Sequence, residues 1–328
     1  MMPALLYFAL IGATFSAPIS YPTFKEVKNR LHALAAAHPD LVEVYSAQAR
    51  YGTPYPSPEN PNVCDDIACD HWYISITNRT LGGSSWASAS PALVDRPQFF
   101  ASGNLHGDEW VGPVTLLELA ELIVAGATGR GASFNPWLAR LVNTRVIVLL
   151  PVSNPWGYTR RVREDFNGRD PNRDFSYDRE DDMCLSTTIA RAINADFRAH
   201  VYQVSVTFHG GMEEVSWEWG SKHHENEAGA RCPDDIASEL LGDAMRDIAG
   251  GLVPEGGGSK HYYPAGRIDP DVYWVNGGME DWAYGGSFYV STHTAFCAHS
   301  LTRPPPPPPL LLPHSTHHLS SVVGFKAQ

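Results

Sequence analysis

Residues 104–111, with the sequence Asn-Leu-His-Gly-Asp-Glu-Trp-Val, decide how the rest of this chain is interpreted. They follow the apolar run 97–103, which predicts a buried strand, and precede the apolar run 114–124, which is long enough for a helix. His106 and Glu109 therefore lie in a connection from a strand to a helix. Open α/β sheets place their chemistry in such connections, beyond the carboxyl ends of the strands.

The spacing of His106 and Glu109 suits a metal site. A histidine and a glutamate three residues apart on a turn can direct an imidazole nitrogen and a carboxylate oxygen to one point. Zinc accepts both ligand types at about 2.0–2.2 Å, and a catalytic zinc keeps one position for water. His-x-x-Glu is a short motif that also arises by chance, so the prediction depends on other residues along the chain.

The composition bounds the class of protein. The chain has 328 residues, of which 43% are hydrophobic and 18% are charged, so it is long enough to form an ample core. Its formal net charge of -12 and its pI of about 5.5 argue against a nucleic-acid partner. We therefore expect an ordered globular protein with one large domain or two small ones.

The N-terminus and the cysteines favour a secreted protein. Residues 1–17 contain a short apolar run followed by small residues, which is typical of a signal peptide, although a short buried strand is the alternative. Five cysteines fit the same compartment, and Cys64 and Cys69 are close enough to bridge a surface loop. No other apolar stretch is long enough for us to predict a transmembrane segment.

Strands alternate with helices along most of the chain. We predict helices over residues 22–38, 114–125, 136–142, 189–201 and 236–248, and strands over 41–45, 72–76, 97–103, 145–151 and 204–208. This order predicts an α/β fold with a mixed, mostly parallel twisted sheet covered by helices on both faces.

Residues 256–286 are rich in Gly, Tyr and Trp and predict a long ordered loop. Residues 301–328 begin with a proline run and predict a disordered tail after a domain spanning residues 18–300.

Three further groups of residues could complete a site with His106 and Glu109. Arg163, Asn172 and Arg173 share one loop, and guanidinium groups bind carboxylates in a bidentate manner. The alternative for this loop is a solvated charged segment with local ion pairs. His209 follows an apolar strand and could be a third zinc ligand, although such a histidine is more often part of a core.

Tyr284 ends the stretch Gly-Gly-Met-Glu-Asp-Trp-Ala-Tyr and could swing over a bound substrate; the alternative is an aromatic side chain packed in a turn. Together with His106-Gly-Asp-Glu-Trp, Asn154-Pro-Trp-Gly-Tyr, Asp170-Pro-Asn-Arg-Asp-Phe and Phe208-His-Gly-Gly, this stretch resembles the zinc carboxypeptidases. The resemblance is to the carboxypeptidase N/E-like branch, and the five matches come in the family's order.

The resemblance implies one zinc per chain, with His106, Glu109 and His209 as ligands, and a zinc-activated water that attacks the last peptide bond of a peptide or protein substrate. It also implies that Asn172 and Arg173 bind the C-terminal carboxylate of that substrate.

The same resemblance implies that Tyr284 closes over the substrate and that Arg163 polarises the scissile carbonyl. For the second role, Arg160, Arg161 and Arg169 are nearby alternatives.

The sequence departs from the family after Tyr284. The family uses a glutamate beyond this tyrosine as its general base, but no Glu or Asp follows Tyr284 here. A general base contributes roughly 10²–10⁴-fold to the rate. Glu213, Glu214 and Glu280 are the nearest replacements in the sequence, which gives no geometric reason to prefer one. We also expect the last strand and helix of the family domain to be missing.

Three functions remain open at this point. The first is a secreted metallocarboxypeptidase that is monomeric and removes C-terminal residues from peptides. The second is a pseudoenzyme that binds zinc and peptide ends without hydrolysing them. The third is an amidohydrolase of the aspartoacylase or desuccinylase type, which shares the His-x-x-Glu…His pattern.

Overall fold

A mixed eight-stranded sheet forms the centre of the protein. The structure is a computed structural model that describes residues 20–81, 96–175, 185–224, 231–250, 264–285 and 319–325. The strands are β1 (Val42–Ser46), β2 (Trp72–Ile76), β3 (Gln98–Gly103), β4 (Val146–Leu150), β5 (Tyr202–Gly210), β6 (Glu214–Trp217), β7 (Ala265–Arg267) and β8 (Leu319–Phe325). They lie in the order β1-β2-β4-β3-β5-β8-β6-β7. Strands β4, β3, β5 and β8 are parallel, β7 is parallel to β6, and the other pairs are antiparallel.

Helices cover both faces of this sheet. They are α1 (Phe24–Ala37), α2 (Ala47–Tyr51), α3 (Val111–Thr128), α4 (Pro136–Thr144), α5 (Pro155–Arg160), α6 (Thr188–Phe197), α7 (Asp235–Gly250), α8 (Ile268–Asp271) and α9 (Met279–Gly285). Side chains of α1, α3 and α4 form one apolar cluster with the sheet, and side chains of α2, α6 and α9 form another. Strand β4 contributes Ile147 and Leu149 to the first cluster and Val148 and Leu150 to the second. The predicted fold class is therefore confirmed.

The central strands and their helices follow the sequence pattern closely. The apolar run before His106 forms β3, and the apolar run after Glu109 forms α3, which packs against β3 and β5. By length and composition α3 could cross a membrane, but a core helix passes the same test. Its residues Leu116, Leu117 and Ala120 are buried against the sheet, which is how a core helix packs.

The prediction of a disordered tail over residues 301–328 is wrong for residues 319–325. These seven residues form β8, which is parallel to β5 and antiparallel to β6 and so joins the two halves of the sheet. The proline run suggested one structureless segment, but the sequence Leu-Ser-Ser-Val-Val-Gly-Phe after it carries two adjacent β-branched valines. A C-terminal strand is therefore present, although we expected the last strand of the family domain to be missing. Residues 301–318 and 326–328 lie outside the described residues.

Two further sequence predictions need correction or completion. Part of the segment 256–286 is not loop, because it contains β7, α8 and α9. Cys64 and Cys69 form a disulfide, as their spacing suggested, and Cys232 is free and buried. The predicted signal peptide, residues 1–17, and the remaining cysteines, Cys184 and Cys297, lie outside the described residues.

Candidate metal centre and substrate site

The carboxyl ends of β3 and β5 bring the three predicted zinc ligands together. Strands β3 and β5 are adjacent and parallel, and Gly103 at the end of β3 pairs with Phe208. His106 and Glu109 follow β3 in the turn that leads into α3, and His209 is the next residue after Phe208 on β5. Parallel neighbouring strands therefore unite residues that are about one hundred positions apart in the sequence.

The ligand atoms face one another. Nδ1 of His106 lies 2.8 Å from Oε1 of Glu109, and Nδ1 of His209 lies 3.0 Å from Oε2 of Glu109. The two Nδ1 atoms are 3.3 Å apart. All candidate ligand atoms of the three residues lie within 4.8 Å of one another.

This donor set fits zinc. Two imidazole nitrogens and one carboxylate oxygen are a common set of protein ligands for a catalytic zinc. Tetrahedral bonds of about 2.0–2.1 Å place neighbouring ligand atoms roughly 3.3 Å apart. The observed separations of 2.8–3.3 Å lie close to this spacing, so small side-chain movements would admit the ion.

Asp170 is a member of the site that the sequence reasoning did not assign. Its Oδ1 lies 3.0 Å from Nε2 of His106, which leaves Nδ1 of that histidine free to face Glu109 and His209. A carboxylate in this position fixes the tautomer of a metal-binding histidine and makes it a stronger ligand. Burial lowers the pKa of His106, but the hydrogen bonds with Asp170 and Glu109 outweigh burial and raise it. The stretch Asp170-Pro-Asn-Arg could have pointed to this residue.

Glu109 and Asp170 both remain ionised in this surrounding. Burial raises the pKa of Glu109, but the two histidines outweigh burial and hold the pKa well below its usual range. Burial also raises the pKa of Asp170, and its contacts with His106 and Arg163 reverse the shift in the same way.

Glycines allow the backbone to close around the ligands. A Cβ added to Gly107 would overlap the backbone of Gly157 at the start of the neighbouring helix α5. A Cβ added to Gly210 would lie 2.9 Å from Cγ of Glu109. Side chains at these two positions would therefore displace the turn that carries the ligands.

Arg163 lies beside the candidate metal centre. Its Nη2 and Nε donate to Oδ2 of Asp170 at 2.8 and 3.1 Å, and its Nη1 is 3.7 Å from Oε1 of Glu109. Arg160 instead donates to the carbonyl of Val63, and Arg161 lies over the ring of Trp110. Of these three arginines, Arg163 alone combines contacts to Glu109 and to a partner of His106.

Asn172 and Arg173 form a short 3₁₀ turn beside α9. Oδ1 of the buried Asn172 accepts from the backbone N–H of Met279 at 2.8 Å, which ties the turn to the start of α9. Arg173 donates to the carbonyl of Asn172 at 2.7 Å, and its guanidinium lies 5.9 Å from the ring centre of Tyr273. Asp170, two residues earlier, accepts from the N–H of Asn172 at 2.9 Å and so connects this turn to the metal centre.

The structure does not bring Tyr284 to this site. Its side chain is 2% exposed and packs with Trp219 and Cys232, while its hydroxyl donates to Oδ2 of Asp234 at 3.1 Å. In this structure Tyr284 therefore lies away from the candidate metal centre, and its packing does not support its predicted role.

Among the described residues of the same region, Tyr273 is an exposed tyrosine. It is 50% exposed, lies near the guanidinium of Arg173, and helps to raise the pKa of Arg163. The sequence did not point to it, because no local pattern distinguishes an exposed tyrosine from a packed one.

One of the three acidic residues that the sequence offers as a general base lies at the substrate side of the site. Glu280 is 3% exposed, forms a hydrogen bond with Asn172, and interacts electrostatically with His209 and Arg173. Burial raises its pKa. Glu213 is exposed and Glu214 is buried in β6. Strand β8 has its end beside His209, where Gly324 pairs with that histidine, but it carries no Asp or Glu.

Comparisons with known proteins agree with this geometry. A family model described as zinc carboxypeptidase matches residues 70–292, more than half of the 328 residues. Carboxypeptidase SOL1 of Arabidopsis thaliana is 29% identical over 223 residues, which cover 66% of this chain and 41% of that protein. Carboxypeptidase D of Rattus norvegicus is 29% identical over 223 residues, which cover 60% of this chain and 16% of that protein. The chain thus spans less than half the length of these two relatives.

The fold comparison points the same way. Carboxypeptidase A from Helicoverpa armigera superposes with a TM-score of 0.64 at 16% identity, covering 94% of this chain and 65% of that one. At this identity the likeness establishes the fold, while the family model establishes the kinship. The chain belongs to the zinc carboxypeptidase family.

Proposed function

We propose that this protein is a secreted zinc carboxypeptidase that binds the free C-terminus of a peptide and removes its last residue. Its curated relatives are carboxypeptidases, so it is an enzyme by resemblance. The observation that carries the proposal is the convergence of His106, Glu109 and His209 beside the turn that holds Asn172 and Arg173. We further propose one zinc per chain and a monomer.

The three ligands would hold zinc through two Nδ1 atoms and the carboxylate of Glu109. When bound, zinc supplies a Lewis acid and lowers the pKa of a coordinated water. Arg163 faces the same point with a planar, permanently charged group. It is suited to stabilise the negative charge that develops on the carbonyl oxygen during attack.

The terminal carboxylate of the peptide would bind to Asn172 and Arg173. An amide donor and a guanidinium together match the geometry of a carboxylate. Tyr273, half-exposed beside Arg173, can close over the bound terminus. The terminal side chain would then point toward α9 and meet Glu280, which contacts Asn172.

The position of Glu280 favours substrates that end in Lys or Arg. A buried carboxylate is costly unless it is paired with a cation. Its Oε2 has no hydrogen-bond partner among the described residues, so a cationic side chain that enters from the substrate site would supply one. Glu280 is therefore better suited to recognise the substrate than to replace a general base at an open water site.

A second candidate function is zinc-dependent binding of peptide ends without hydrolysis. The observation that favours it is that β8, the strand that ends beside His209, carries no Asp or Glu. Without a carboxylate to accept the proton of the attacking water, hydrolysis would lose roughly 10²–10⁴-fold in rate.

Mass-spectrometric analysis of a peptide library separates the two candidates. The purified, zinc-loaded protein is incubated with peptides that differ in their last residue, and the removal of that residue is followed. Glu109→Gln serves as the blank, because it weakens the zinc site. Glu118→Gln, an exposed glutamate of α3, serves as the matched control.

Trimming by the wild type and by Glu118→Gln, but not by Glu109→Gln, is the result expected of a carboxypeptidase. Zinc-dependent peptide binding without trimming would support the second candidate. Failure of the wild type to bind zinc would contradict both.

A further inference from the structure

We propose that Asn104 is the residue that positions the metal-binding turn. The proposal rests on the proposed function, since it assumes that His106 and Glu109 hold zinc. Asn104 is fully buried at the end of β3, two residues before the first ligand. Its side chain lies inside the turn that the two ligands occupy.

The side-chain amide of Asn104 binds three backbone carbonyls of this turn. Its Nδ2 donates to the carbonyl of His106 at 3.0 Å, to that of Gly107 at 3.1 Å and to that of Glu109 at 3.1 Å. Three buried carbonyls that converge on one point repel one another unless a donor lies between them. The amide therefore holds the peptide units of both ligands in one arrangement.

The backbone of Asn104 adopts a conformation that restricts which residues fit. Its φ is +61°, in the left-handed region that asparagine tolerates better than most residues. This turn of the chain directs the following residues out of the sheet and toward β5. Asn104 also accepts from the N–H of Asn154 at 3.0 Å, which ties it to the segment after β4.

Asn154 extends the same arrangement to the loop of Arg163. Its Nδ2 donates to the carbonyl of Glu164 at 2.9 Å, and the N–H of Gly107 donates to the carbonyl of Arg163 at 3.2 Å. The two asparagines thus hold the ligand turn and the arginine loop in one hydrogen-bonded unit. Asn104 lies at its centre and contacts no substrate atom in this scheme, so its role is to position the ligands.

Zinc affinity tests this role without relying on catalysis. The dissociation constant for zinc is measured by competition with a chromophoric chelator, on the full chain at a temperature where circular dichroism shows it folded. Asn104→Gly keeps the left-handed backbone and removes the amide. We expect it to bind zinc about 10–100-fold more weakly, as losses outside the ligand set of zinc sites do.

Asn104→Ser keeps one hydroxyl donor and is expected to fall between the wild type and Asn104→Gly; it decides the question if the glycine variant does not fold. Asn78→Gly is the matched control, since Asn78 is a hydrogen-bonded asparagine that contacts Asn143 and Thr80 instead of the site. A purely structural role for Asn104 would lower the unfolding temperature but leave the zinc affinity of the folded protein unchanged.

Equal zinc affinity in the wild type and in a folded Asn104 variant would overturn the proposal while leaving the proposed function intact. Absence of zinc binding in the wild type would instead overturn the proposed function, and this proposal with it.

Discussion

Arg163 shows how a single residue serves two parts of the site. It binds Asp170, which orients His106, and it faces Glu109. Arg163→Lys would keep the charge but lose the two donors that bind Oδ2 of Asp170 together. We expect kcat for a trimmed peptide to fall by about 10²–10³-fold, as it does when one donor to a developing oxyanion is lost. Steady-state kinetics and zinc content check this, with Arg169→Lys as the control; an unchanged kcat would exclude Arg163 from the reaction.

Glu280 is expected to determine which C-terminal residue of the substrate the enzyme prefers. Glu280→Gln removes the charge and keeps the shape. Loss of one partner of a buried charge pair costs about 2–5 kcal/mol, so we expect kcat/KM for peptides ending in Lys or Arg to fall by about 30-fold or more. Peptides ending in Leu should be affected far less. Competition between the two classes of peptide measures the ratio, with the exposed Glu213→Gln as the control, and an unchanged ratio would contradict the assignment.

At the residue scale, the sequence was a better guide to which side chains lie close together than to which side chains are exposed. His106, Glu109 and His209 could be placed together because each follows an apolar strand, and parallel strands end at one edge of a sheet. Which of its two possible roles Tyr284 takes could not be decided from the sequence, because its burial depends on Asp234 and Trp219, which lie far away in the sequence. Tyr273, in the same segment, remains half-exposed because of tertiary packing, which no local sequence pattern indicates.

At the scale of elements, the turn that carries Asn172 and Arg173 depends on helix α6. The buried Asp174 accepts from the N–H of Ser186 at 3.0 Å, from its hydroxyl at 2.6 Å and from the N–H of Thr187 at 2.6 Å. This carboxylate fastens the substrate turn to the residues that begin α6. The carbonyl of Asp174 also accepts from the N–H of Leu185 at 2.9 Å.

Asp174→Ala should therefore loosen the substrate turn much more than the metal site. We expect KM to rise about 10-fold, while zinc affinity changes far less, because Arg163 also holds Asp170 in place beside His106. Each buried donor left without a partner costs about 1–3 kcal/mol, so the unfolding temperature should also fall. Kinetics, zinc competition and thermal unfolding measure the three effects, with the surface variant Asp243→Ala as the control. A loss of zinc affinity as large as the rise in KM would show that the effect is not confined to this turn.

Long elements could be predicted from the sequence and short ones could not. The apolar runs of β3 and β4 and the periodic pattern of α1 can be recognised from consecutive residues alone. Strands β6 and β7 have four and three residues, so too little pattern exists to identify them. Strand β8 was missed for a different reason: the proline run before it suggested disorder, whereas its pairing with β5 and β6 is set by residues more than one hundred positions away.

At the scale of the whole molecule, the sheet separates two apolar layers and places the site at its edge. The layer under α1, α3 and α4 and the layer under α2, α6 and α9 are distinct clusters. Polar groups that are buried between the sheet and its helices must therefore be neutral or paired, since water cannot reach them. His71, directly before β2, is such a group: it is 0% exposed, and its Nδ1 accepts from Nε2 of Gln48 at 2.7 Å.

His71 should make the stability of the whole protein depend on pH. Burial lowers the pKa of His71 to about 3, whereas a histidine in an unfolded chain has a pKa of about 6.5. Between these values the unfolded chain binds a proton that the folded protein does not, so the free energy of unfolding falls as the pH drops from 6.5 toward 3, by about 1.4 kcal/mol per pH unit. This stabilisation is complete above pH 6.5 and is lost progressively below it. Lowering the pH from 7 to 5 should therefore cost about 2 kcal/mol through His71 alone.

His71→Gln removes the titrating group and retains an acceptor for Gln48, so its free energy of unfolding should change about 2 kcal/mol less than that of the wild type between pH 7 and pH 5. Urea unfolding of the metal-free protein at the two pH values measures the difference, and the exposed His32→Gln controls for the replacement of a histidine. Equal pH dependence in the wild type and His71→Gln would mean that His71 is protonated in the folded protein, or that the strand start around it opens to water, and would contradict the buried, neutral histidine described above.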